Sequence, residues 1–330
     1  MSNGPTNAAA PVPRTQEKGT FTLAFAGDIR WSSQLRPLLD DPETALAPIR
    51  SELAAADLTV ANLETAVTTR GEPERKDFTF RAPSSAFEAL ASAGIDVASM
   101  GNNHGVDYGP QGLSDTLAAI KDAPLAGVGI GRDAEQAFAP HVATIRGTRV
   151  AVIGATQVDD PTARNFPAGA GRAGVAATVD PQRLVAAVAQ ARRSSDVVVV
   201  FLHWGEELNQ CPISEQKDLA RMLSDAGADV VVGTHAHVLL GSGMLGRTYV
   251  HYGLGNFVWP NQTNEATTTT GVLTLTMKGR TTVATRWSPA RIKSDGLPHF
   301  AEGDKAEEMR EDFADLRSCT GLAPAPEPPA

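Results

Sequence analysis

Five short segments of the sequence place side chains that can bind a metal ion directly after an apolar run. The segments cover residues 27–28, 62–64, 101–105, 203–205 and 233–237. Their candidate ligands are Asp28, Asn62, Glu64, Asn103, His104, His203, His235 and His237. Carboxylate, amide and imidazole groups without cysteine favour a divalent metal bound through nitrogen and oxygen. Such an ion activates water and polarises a substrate oxygen.

Each candidate ligand, taken alone, also fits an ordinary structural role. These roles are a turn for Asp28, a turn cap for Asn62, solvent exposure for Glu64, and core packing for His104 and His203. The pair His235 and His237 is more specific, because alternate residues of an extended chain point to the same side. The five segments together predict a metal site, since packing does not require ligand-type residues at every strand end.

Strands alternate with helices in the segments that must position these residues. The predicted strands are 21–27, 58–62, 96–101, 149–155, 196–204 and 229–237, and the predicted helices are 45–56, 84–94, 110–123, 181–194, 214–227 and 304–316. The later segments 248–259, 271–279 and 281–287 have strand character, and the last two form a hairpin at Gly279–Arg280. This pattern predicts an α/β fold with helices on both faces and a second sheet. Ligands of such sheets bind beyond the carboxyl ends of the strands.

Three further segments lead to separate predictions. Residues 251–259 form either a wall of the site or a β-bulge, and the glycines beside Asn256 favour the wall. Residues 267–270 are four threonines and predict an exposed loop. Cys211 and Cys319 form either a disulfide or two free thiols, and a disulfide requires an oxidising compartment.

Composition and charge limit the possible partners. The chain has 330 residues and a formal net charge of −9, which disfavours general binding to nucleic acids or anionic membranes. A bound metal ion can reverse this field locally, so an anionic substrate is not excluded. No apolar run approaches the roughly 20 residues of a membrane-spanning helix. We expect a disordered leader at 1–19, one folded domain at 20–322 and a disordered Pro-rich tail at 323–330 that begins near Leu322.

The set of motifs resembles the CapA-type proteins of bacterial poly-γ-glutamate capsule synthesis, a branch of the metallo-dependent (calcineurin-like) phosphatase superfamily. The matching stretches are FAGDIRW, ANLETAV, DVASMGNNHGVDYG, FLHWGEE, DVVVGTHAHVLLG and HYGLGNFVW, which span residues 21–259 in the order of the family. The resemblance implies a two-sheet αββα sandwich with metal ions at the sheet edge.

The resemblance also implies roles for individual residues. Metal ligation is implied for Asp28, Asn62 or Glu64 as the bridging residue, Asn103, His203, His235 and His237, and His104 is implied as the acid that protonates a leaving group. The sequence departs from the superfamily at Arg30, which replaces a histidine ligand, and at Gly105, which replaces an acidic residue; Asp107 is the nearest carboxylate. Arg30 cannot bind a metal but can hold an anionic substrate group. One ion or two are therefore both possible, with Mn, Zn, Fe and Ca as candidates.

Three functions are consistent with these residues. The first is a metal-dependent hydrolase or transferase that acts on an amide, ester or phosphoester of an anionic polymer or peptide, poly-γ-glutamate being the candidate that the resemblance suggests. The second is a peptide epimerase that uses acid–base chemistry, and the third is a non-catalytic scaffold in a capsule-export membrane complex. The resemblance and the two cysteines favour an extracellular or cell-surface location with the export segment removed, and a cytoplasmic location is the alternative.

Overall fold

The computed structural model describes residues 19–260 and 264–327. The strands are β1 (Phe21–Ile29), β2 (Leu58–Leu63), β3 (Ala66–Val67), β4 (Arg81–Ala82), β5 (Val97–Ser99), β6 (Ala126–Val128), β7 (Ile130–Gly131), β8 (His141–Ile145), β9 (Thr148–Thr156), β10 (Gly174–Val175), β11 (Val197–His203), β12 (Val230–Thr234), β13 (Leu239–Leu245), β14 (Thr248–Leu254), β15 (Asn256–Val258), β16 (Thr269–Lys278), β17 (Thr281–Ile292) and β18 (Pro298–Phe300). The α-helices are α1 (Arg50–Leu53), α2 (Ser85–Ser92), α3 (Gly109–Asp122), α4 (Ala134–Ala137), α5 (Pro161–Asn165), α6 (Gln182–Ser194), α7 (Ser214–Ala226), α8 (Glu265–Thr268) and α9 (Gly303–Asp315). Short 3-10 helices cover Ser33–Asp40, Ala47–Ile49 and Leu316–Cys319.

Two large sheets carry the fold. The first has the strand order β18-β17-β16-β1-β2-β5-β6, with β15 also paired to β1, and the second has the order β13-β14-β12-β11-β9-β8. The strands β1, β2, β5 and β6 run parallel in the first sheet. The strands β9, β11, β12 and β14 run parallel in the second. The hairpin between β16 and β17 is confirmed, and so are the predicted sheet strands, except that the strand predicted at 229–237 ends at Thr234.

The sequence of β11 shows why the sheets lie face to face. Val197, Val199 and Phe201 pack in one cluster with side chains of β1 and β2. Val198, Val200 and Leu202 point the other way and pack against α6 and α7. Both faces of the strand are therefore buried, which explains its unbroken apolar sequence. Each such side chain contributes roughly 1.5–3 kcal/mol of burial free energy.

Helices cover the outer face of each sheet. The first sheet packs against α2, α3 and the 3-10 helix Ser33–Asp40. The second packs against α6 and α7, and α7 ends at Gly227, whose φ of 107° lets its N–H bond to the carbonyls of the last turn. The layers run helix, sheet, sheet, helix. The predicted αββα sandwich is confirmed.

Three local predictions are wrong. The helix expected at 45–56 is a 3-10 turn followed by the single turn α1, because Pro48 lacks an N–H and its ring crowds the preceding turn. Residues 267–270 end α8 and begin β16, and Thr267 and Thr270 are buried. The tail is ordered through residue 327, since Ala323 exchanges backbone hydrogen bonds with Met244 at the edge of the second sheet. Residues 1–18 of the expected leader, and 328–330 of the tail, lie outside the described residues.

A disulfide joins Cys211 to Cys319 across 108 residues of sequence. Replacing both cysteines with serine is expected to lower the free energy of unfolding by about 2–5 kcal/mol, because the cross-link restricts the unfolded chain. Urea unfolding of the variant and of the oxidised wild type measures the difference. Reduced wild type serves as the control and should match the variant; equal stability of the oxidised and serine forms would contradict the prediction.

His251 on β14 is buried, and neither of its ring nitrogens makes a hydrogen bond to a described residue. Burial lowers the pKa of His251 from its ordinary 6.5 to about 3. The unfolded chain therefore binds the extra proton more readily, and the stability associated with neutral His251 is lost as pH falls from 6.5 towards 3.

His251→Leu removes this titrating group. Between pH 7.5 and pH 5, the stability of the variant relative to wild type should rise by about 2 kcal/mol, because wild type loses roughly 1.4 kcal/mol for each pH unit below the ordinary pKa of 6.5. Urea unfolding at both pH values, with chelator present, makes the comparison. A constant difference between the two proteins would show that His251 finds a proton acceptor when it is charged.

Within the described residues, we find no helix with the length and apolar character needed to cross a lipid bilayer.

Candidate metal centre

The registers of the parallel strands bring the candidate residues to one edge of the sandwich. Asp28 on β1 lies opposite Asn62 on β2, and His203 on β11 lies opposite Thr234 on β12. Gly27 allows β15 to approach, because a Cβ at that position would lie 2.0 Å from the carbonyl oxygen of Gly255. The backbone N–H of Asp28 donates to that oxygen at 2.9 Å. The two sheets thus deliver their polar strand ends to a shared point.

Glu64 is the strongest sign that this point is built for a cation. Its side chain is fully buried, and neither carboxylate oxygen forms a hydrogen bond with a described residue. Oε1 lies 3.7 Å from the Nε2 atoms of both His104 and His203, and 3.9 Å from Nε2 of His237. Burial, reinforced by the charge of Asp28, raises the pKa of Glu64 well above its ordinary value. A buried carboxylate without partners is costly unless a positive charge compensates it.

Asp28 is held more firmly than Glu64. Its Oδ1 accepts a hydrogen bond from Nδ2 of Asn62 at 2.7 Å, and its Oδ2 accepts one from the backbone N–H of His235 at 3.2 Å. Oδ2 also lies 3.4 Å from Nδ1 of His237. Ligand atoms of Asp28, Glu64 and His203 lie within 4.8 Å of one another. Asp28, Glu64 and His203 would hold one divalent ion through two carboxylates and one imidazole.

The three histidines of the second sheet differ in charge. Burial lowers the pKa of His203 well below its ordinary value and that of His235 to about 3. Both are therefore in the neutral form that binds metal ions. Burial alone would also lower the pKa of His237, but the Glu64 carboxylate, aided by Asp28, outweighs it and raises that pKa to about 9. The site attracts positive charge to the position of His237.

The sequence predicts that His235 and His237 lie in extended chain, and this prediction is wrong. Strand β12 ends at Thr234, before both residues. Their φ angles are 95° and 57°, in the left-handed region. Non-glycine residues held there cost of order 1–3 kcal/mol each, and such strain concentrates at functional sites. The two rings reach the site through this turn, and Nδ1 of His235 lies 3.1 Å from Nε2 of His203.

The loop after β5 contains two asparagines with different roles. Asn102 is fully engaged: its Nδ2 donates to Asn62 Oδ1 at 3.0 Å and to the Leu63 carbonyl at 2.9 Å, and its Oδ1 accepts from the His104 N–H at 3.0 Å. Asn103 has a buried Oδ1 with no hydrogen-bond partner among the described residues. Asn103 therefore offers a free acceptor, whereas Asn102 fixes the loop.

His104 is oriented by Asp107. Nδ1 of His104 lies 2.6 Å from Oδ2 of Asp107, whose Oδ1 forms an ion pair with Lys76 at 2.8 Å. This contact assigns the Nδ1 proton to the bond with Asp107 and turns Nε2 towards Glu64. Burial lowers the pKa of His104, and the hydrogen bond to Asp107 opposes the shift.

Arg30 lies between two aromatic rings. The carbon at the centre of its guanidinium is 4.3 Å from the Phe80 ring centroid and 4.5 Å from that of Trp259. Phe80 stacks on His104 at 3.8 Å, and Trp259 contacts His237 at 4.6 Å. The buried Nε atom of Arg30 makes no hydrogen bond to a described residue. The two rings thus fix the guanidinium beside the centre, and its Nε–H group is available to donate a hydrogen bond to a substrate.

Residues 22–261 match the sequence model of the family described as "Bacterial capsule synthesis protein PGA_cap". The chain belongs to this family. It is 30% identical over 259 residues to the PGA biosynthesis protein CapA of Bacillus subtilis (strain 168), covering 76% of this chain and 67% of that protein. It is also 30% identical over 267 residues to the capsule biosynthesis protein CapA of Bacillus anthracis, covering 77% of this chain and 63% of that protein. The chain thus spans about two thirds of the length of these relatives.

Two solved structures show the same fold. A hypothetical protein from Thermus thermophilus aligns with a TM-score of 0.51 and 18% identity, covering 82% of this chain and 99% of that one. A novel phosphatase from Mycoplasma pneumoniae aligns with a TM-score of 0.51 and 14% identity, covering 91% and 99%. At these identities the likeness concerns the fold alone.

In this PGA_cap family member, contacts link eight of the nine residues singled out from the sequence into one site: Asp28, Arg30, Asn62, Glu64, His104, His203, His235 and His237. The ninth, Asn103, directly precedes His104 in the loop after β5. Their roles stay predictions. Geometry favours Glu64 over Asn62 as the bridging ligand, because both carboxylate oxygens of Glu64 lack partners. Asn62 instead donates from Nδ2 to Asp28 and accepts at Oδ1 from Asn102.

Sequence reasoning assigned no individual role to several residues that shape the site. They are Lys76, Phe80, Asn102 and Trp259, and the first two lie in a loop without periodic pattern. Trp259 ends the 251–259 stretch predicted as a wall of the site, and Asn256 of that stretch lies with its Oδ1 2.9 Å from Nδ1 of His237. The adjacent pair Asn102 and Asn103 was a usable signal for Asn102. Such a pair can be interpreted as one residue that binds the metal ion and one that fixes the loop.

Proposed function

We propose that this chain is a divalent-metal-dependent hydrolase or transferase of capsule or cell-envelope biosynthesis. It acts on an amide, ester or phosphoester bond of an anionic polymer or peptide. The observation that carries the proposal is Glu64, a fully buried carboxylate without hydrogen-bond partners among the described residues, surrounded by three histidine nitrogens within 3.9 Å.

The donor set fits a metal ion. Asp28, Glu64, Asn103 and His203 offer oxygen and nitrogen atoms at the strand ends, and His235 and His237 add imidazoles. This proportion of imidazole favours Mn, Zn or Fe over Ca. When bound, the ion would supply Lewis acidity, which acidifies water and polarises a substrate oxygen.

His104 and Arg30 are the proposed catalytic residues. In its protonated imidazolium form, His104 gives the proton on Nε2 to the leaving group and returns to the neutral form that keeps its Nδ1 proton in the bond with Asp107. Arg30 binds a carboxylate or phosphate of the substrate from its position between Phe80 and Trp259. The name of the Bacillus subtilis relative, PGA biosynthesis protein CapA, supports the poly-γ-glutamate that the sequence resemblance suggests as the substrate candidate. A chain of net charge −9 needs this local positive charge to approach a polyanion.

A turnover assay tests the proposal. Purified protein is incubated with generic phosphoesters and γ-glutamyl peptides, with and without chelator, and cleavage is followed by mass spectrometry. Turnover that chelation removes would support the proposal, and equal turnover after chelation would contradict it.

Deuterium uptake from solvent without cleavage would instead indicate an epimerase. Cellular function that survives His203→Ala but fails after surface substitutions would indicate a scaffold.

Arg30→Ala is expected to raise KM for anionic substrates by about tenfold to a hundredfold, since charge-assisted hydrogen bonds contribute roughly 1.5–3 kcal/mol. Arg30→Lys should rescue only part of this loss, because an ammonium cannot stack and bind a carboxylate in two places. Arg50→Ala, at an exposed position on α1, serves as the control. An unchanged KM in Arg30→Ala would remove Arg30 from substrate binding.

A cell-surface or extracellular location is part of the proposal. The disulfide between Cys211 and Cys319 supports it, because such bonds persist in oxidising compartments. Fractionation of cells that produce the chain tests this, with detection of the oxidised form outside the cytoplasm as the expected result. Exclusive recovery of the reduced form from the cytoplasm would overturn it.

A further inference from the structure

The ammonium group of Lys76 lies at a junction of three segments near His104. Lys76 belongs to the loop between β3 and β4, and its side chain is only 9% exposed. Its Nζ atom lies 2.8 Å from Oδ1 of Asp107 and 3.3 Å from Oδ2 of Asp160. It also donates to the carbonyl oxygen of Asn103 at 2.5 Å. An ammonium has three donors, so each of these oxygens can receive one of them.

The peptide group between Asn103 and His104 is held at both of its ends. Its carbonyl oxygen accepts from Lys76 and also from Oγ1 of Thr162 at 2.6 Å, whereas its N–H donates to Oδ1 of Asn102 at 3.0 Å. Thr162 lies on α5, which follows a strand of the second sheet, so the second sheet helps to fix a loop of the first. The backbone of His104 therefore cannot turn without breaking the contact with Lys76.

The imidazole ring of His104 is held through Asp107. Oδ2 of Asp107 lies 2.6 Å from Nδ1 of His104 and accepts from the N–H of Phe80 at 2.6 Å. Oδ1 of the same carboxylate faces Lys76, so contacts fix both of its oxygens. Without the ammonium, Oδ1 would carry a buried charge with no counter-ion, and the carboxylate would turn to relieve it. The ring of His104 would then lose its orientation.

Stability alone does not account for a lysine at this position. Replacing a buried ion pair with apolar side chains of similar volume is often neutral or stabilising, because the charges lose their hydration on burial. Lys76 instead contacts the peptide of His104 and, through Asp107, its ring. We propose that Lys76 is a positioning residue for His104, which it holds in the orientation needed for proton transfer to the leaving group. This inference rests on the proposed function, in which His104 is the general acid.

The first test is an NMR measurement on the full chain without metal. It follows the signal of the Nδ1 proton of His104, which is identified by its absence from His104→Asn. In wild type, the short charge-assisted bond to Asp107 should give a downfield, slowly exchanging signal, and Lys76→Met should lose it. Lys121→Met, at an exposed position on α3, is the control and should keep the signal.

The second test is steady-state kinetics in Mn²⁺ with the γ-glutamyl peptide or phosphoester that wild type turns over. Lys76→Met should lower kcat by about tenfold to a hundredfold, the usual effect of removing a residue that supports a catalytic group. KM should stay unchanged, because Arg30, the proposed substrate-binding residue, is untouched. Melting temperatures in chelator verify folding. If Lys76→Met does not fold, Lys76→Gln replaces it with the same expectations, since its amide keeps a donor but not the charge.

Each other result has a defined meaning. An unchanged Nδ1 signal in Lys76→Met, or no such signal in wild type, would overturn the positioning role. A lost signal with unchanged kcat would also overturn it, because the orientation of His104 would then not matter for turnover. A higher KM together with a lower kcat would reduce Lys76 to a structural residue. A wild type without turnover, combined with the expected loss of signal, would remove the proposed function and leave Lys76 as the residue that orients His104.

Discussion

Glu64→Gln is expected to abolish the stabilisation of this protein by divalent metal ions. The substitution keeps the shape of the side chain and removes the charge that three histidine nitrogens surround. In wild type, metal at a hundred times its dissociation constant should raise the free energy of unfolding by about 2.7 kcal/mol. The variant should show no such increase. Urea unfolding with and without Mn²⁺ measures the difference.

The stability of Glu64→Gln in the absence of metal gives a second, independent expectation. Glu64 and Asp28 are both fully buried and repel each other, and this repulsion contributes to the raised pKa of Glu64. Glu64→Gln should therefore be at least as stable as wild type in chelator, and less stable in metal. Glu88→Gln, on the exposed face of α2, is the control and should respond to metal as wild type does. A Glu64→Gln variant that metal still stabilises fully would contradict the assignment.

His104→Asn is expected to lower kcat by about a hundredfold to ten-thousandfold, the usual contribution of a general acid. Metal content should stay unchanged, because the proposed role of His104 is proton transfer. Asp107→Asn should lower kcat less, and it should shift the basic limb of the pH–rate profile to lower pH, because the bond from Nδ1 to Asp107 at 2.6 Å raises the pKa of His104. Steady-state kinetics across pH, with elemental analysis of each variant, makes the measurement.

Two outcomes would count against this role of His104. Full activity of His104→Asn would show that another group protonates the leaving group. Loss of metal together with loss of activity would make His104 a structural or ligating residue. His299→Asn, at an exposed histidine paired with Asp295, is the control and should leave both quantities unchanged.

The ordered elements that carry the site were predictable from sequence because they follow simple periodicity. Val197 to Leu202 is apolar at every position, which a strand buried between a sheet and helices requires. Asp28, His203 and His235 follow such runs directly, so their convergence follows from parallel pairing. The helix predicted at 45–56 failed because Pro48 breaks a pattern that is otherwise helical.

The rest of the site depends on long-range contacts that local patterns do not record. Lys76 and Phe80 come from a loop and reach Asp107 and Arg30 only after the chain has folded. The left-handed conformations of His235 and His237 follow from the turn after β12 rather than from residue preference.

Anomalous diffraction from crystals of the intact chain soaked in Mn²⁺ tests the central claim most directly. We expect an anomalous peak bounded by Asp28, Glu64 and His203, within about 2.0–2.3 Å of their ligand atoms. The absence of a peak there, with Glu64 instead protonated and bonded to a neighbouring side chain, would contradict the convergence of these strand ends on a shared cation.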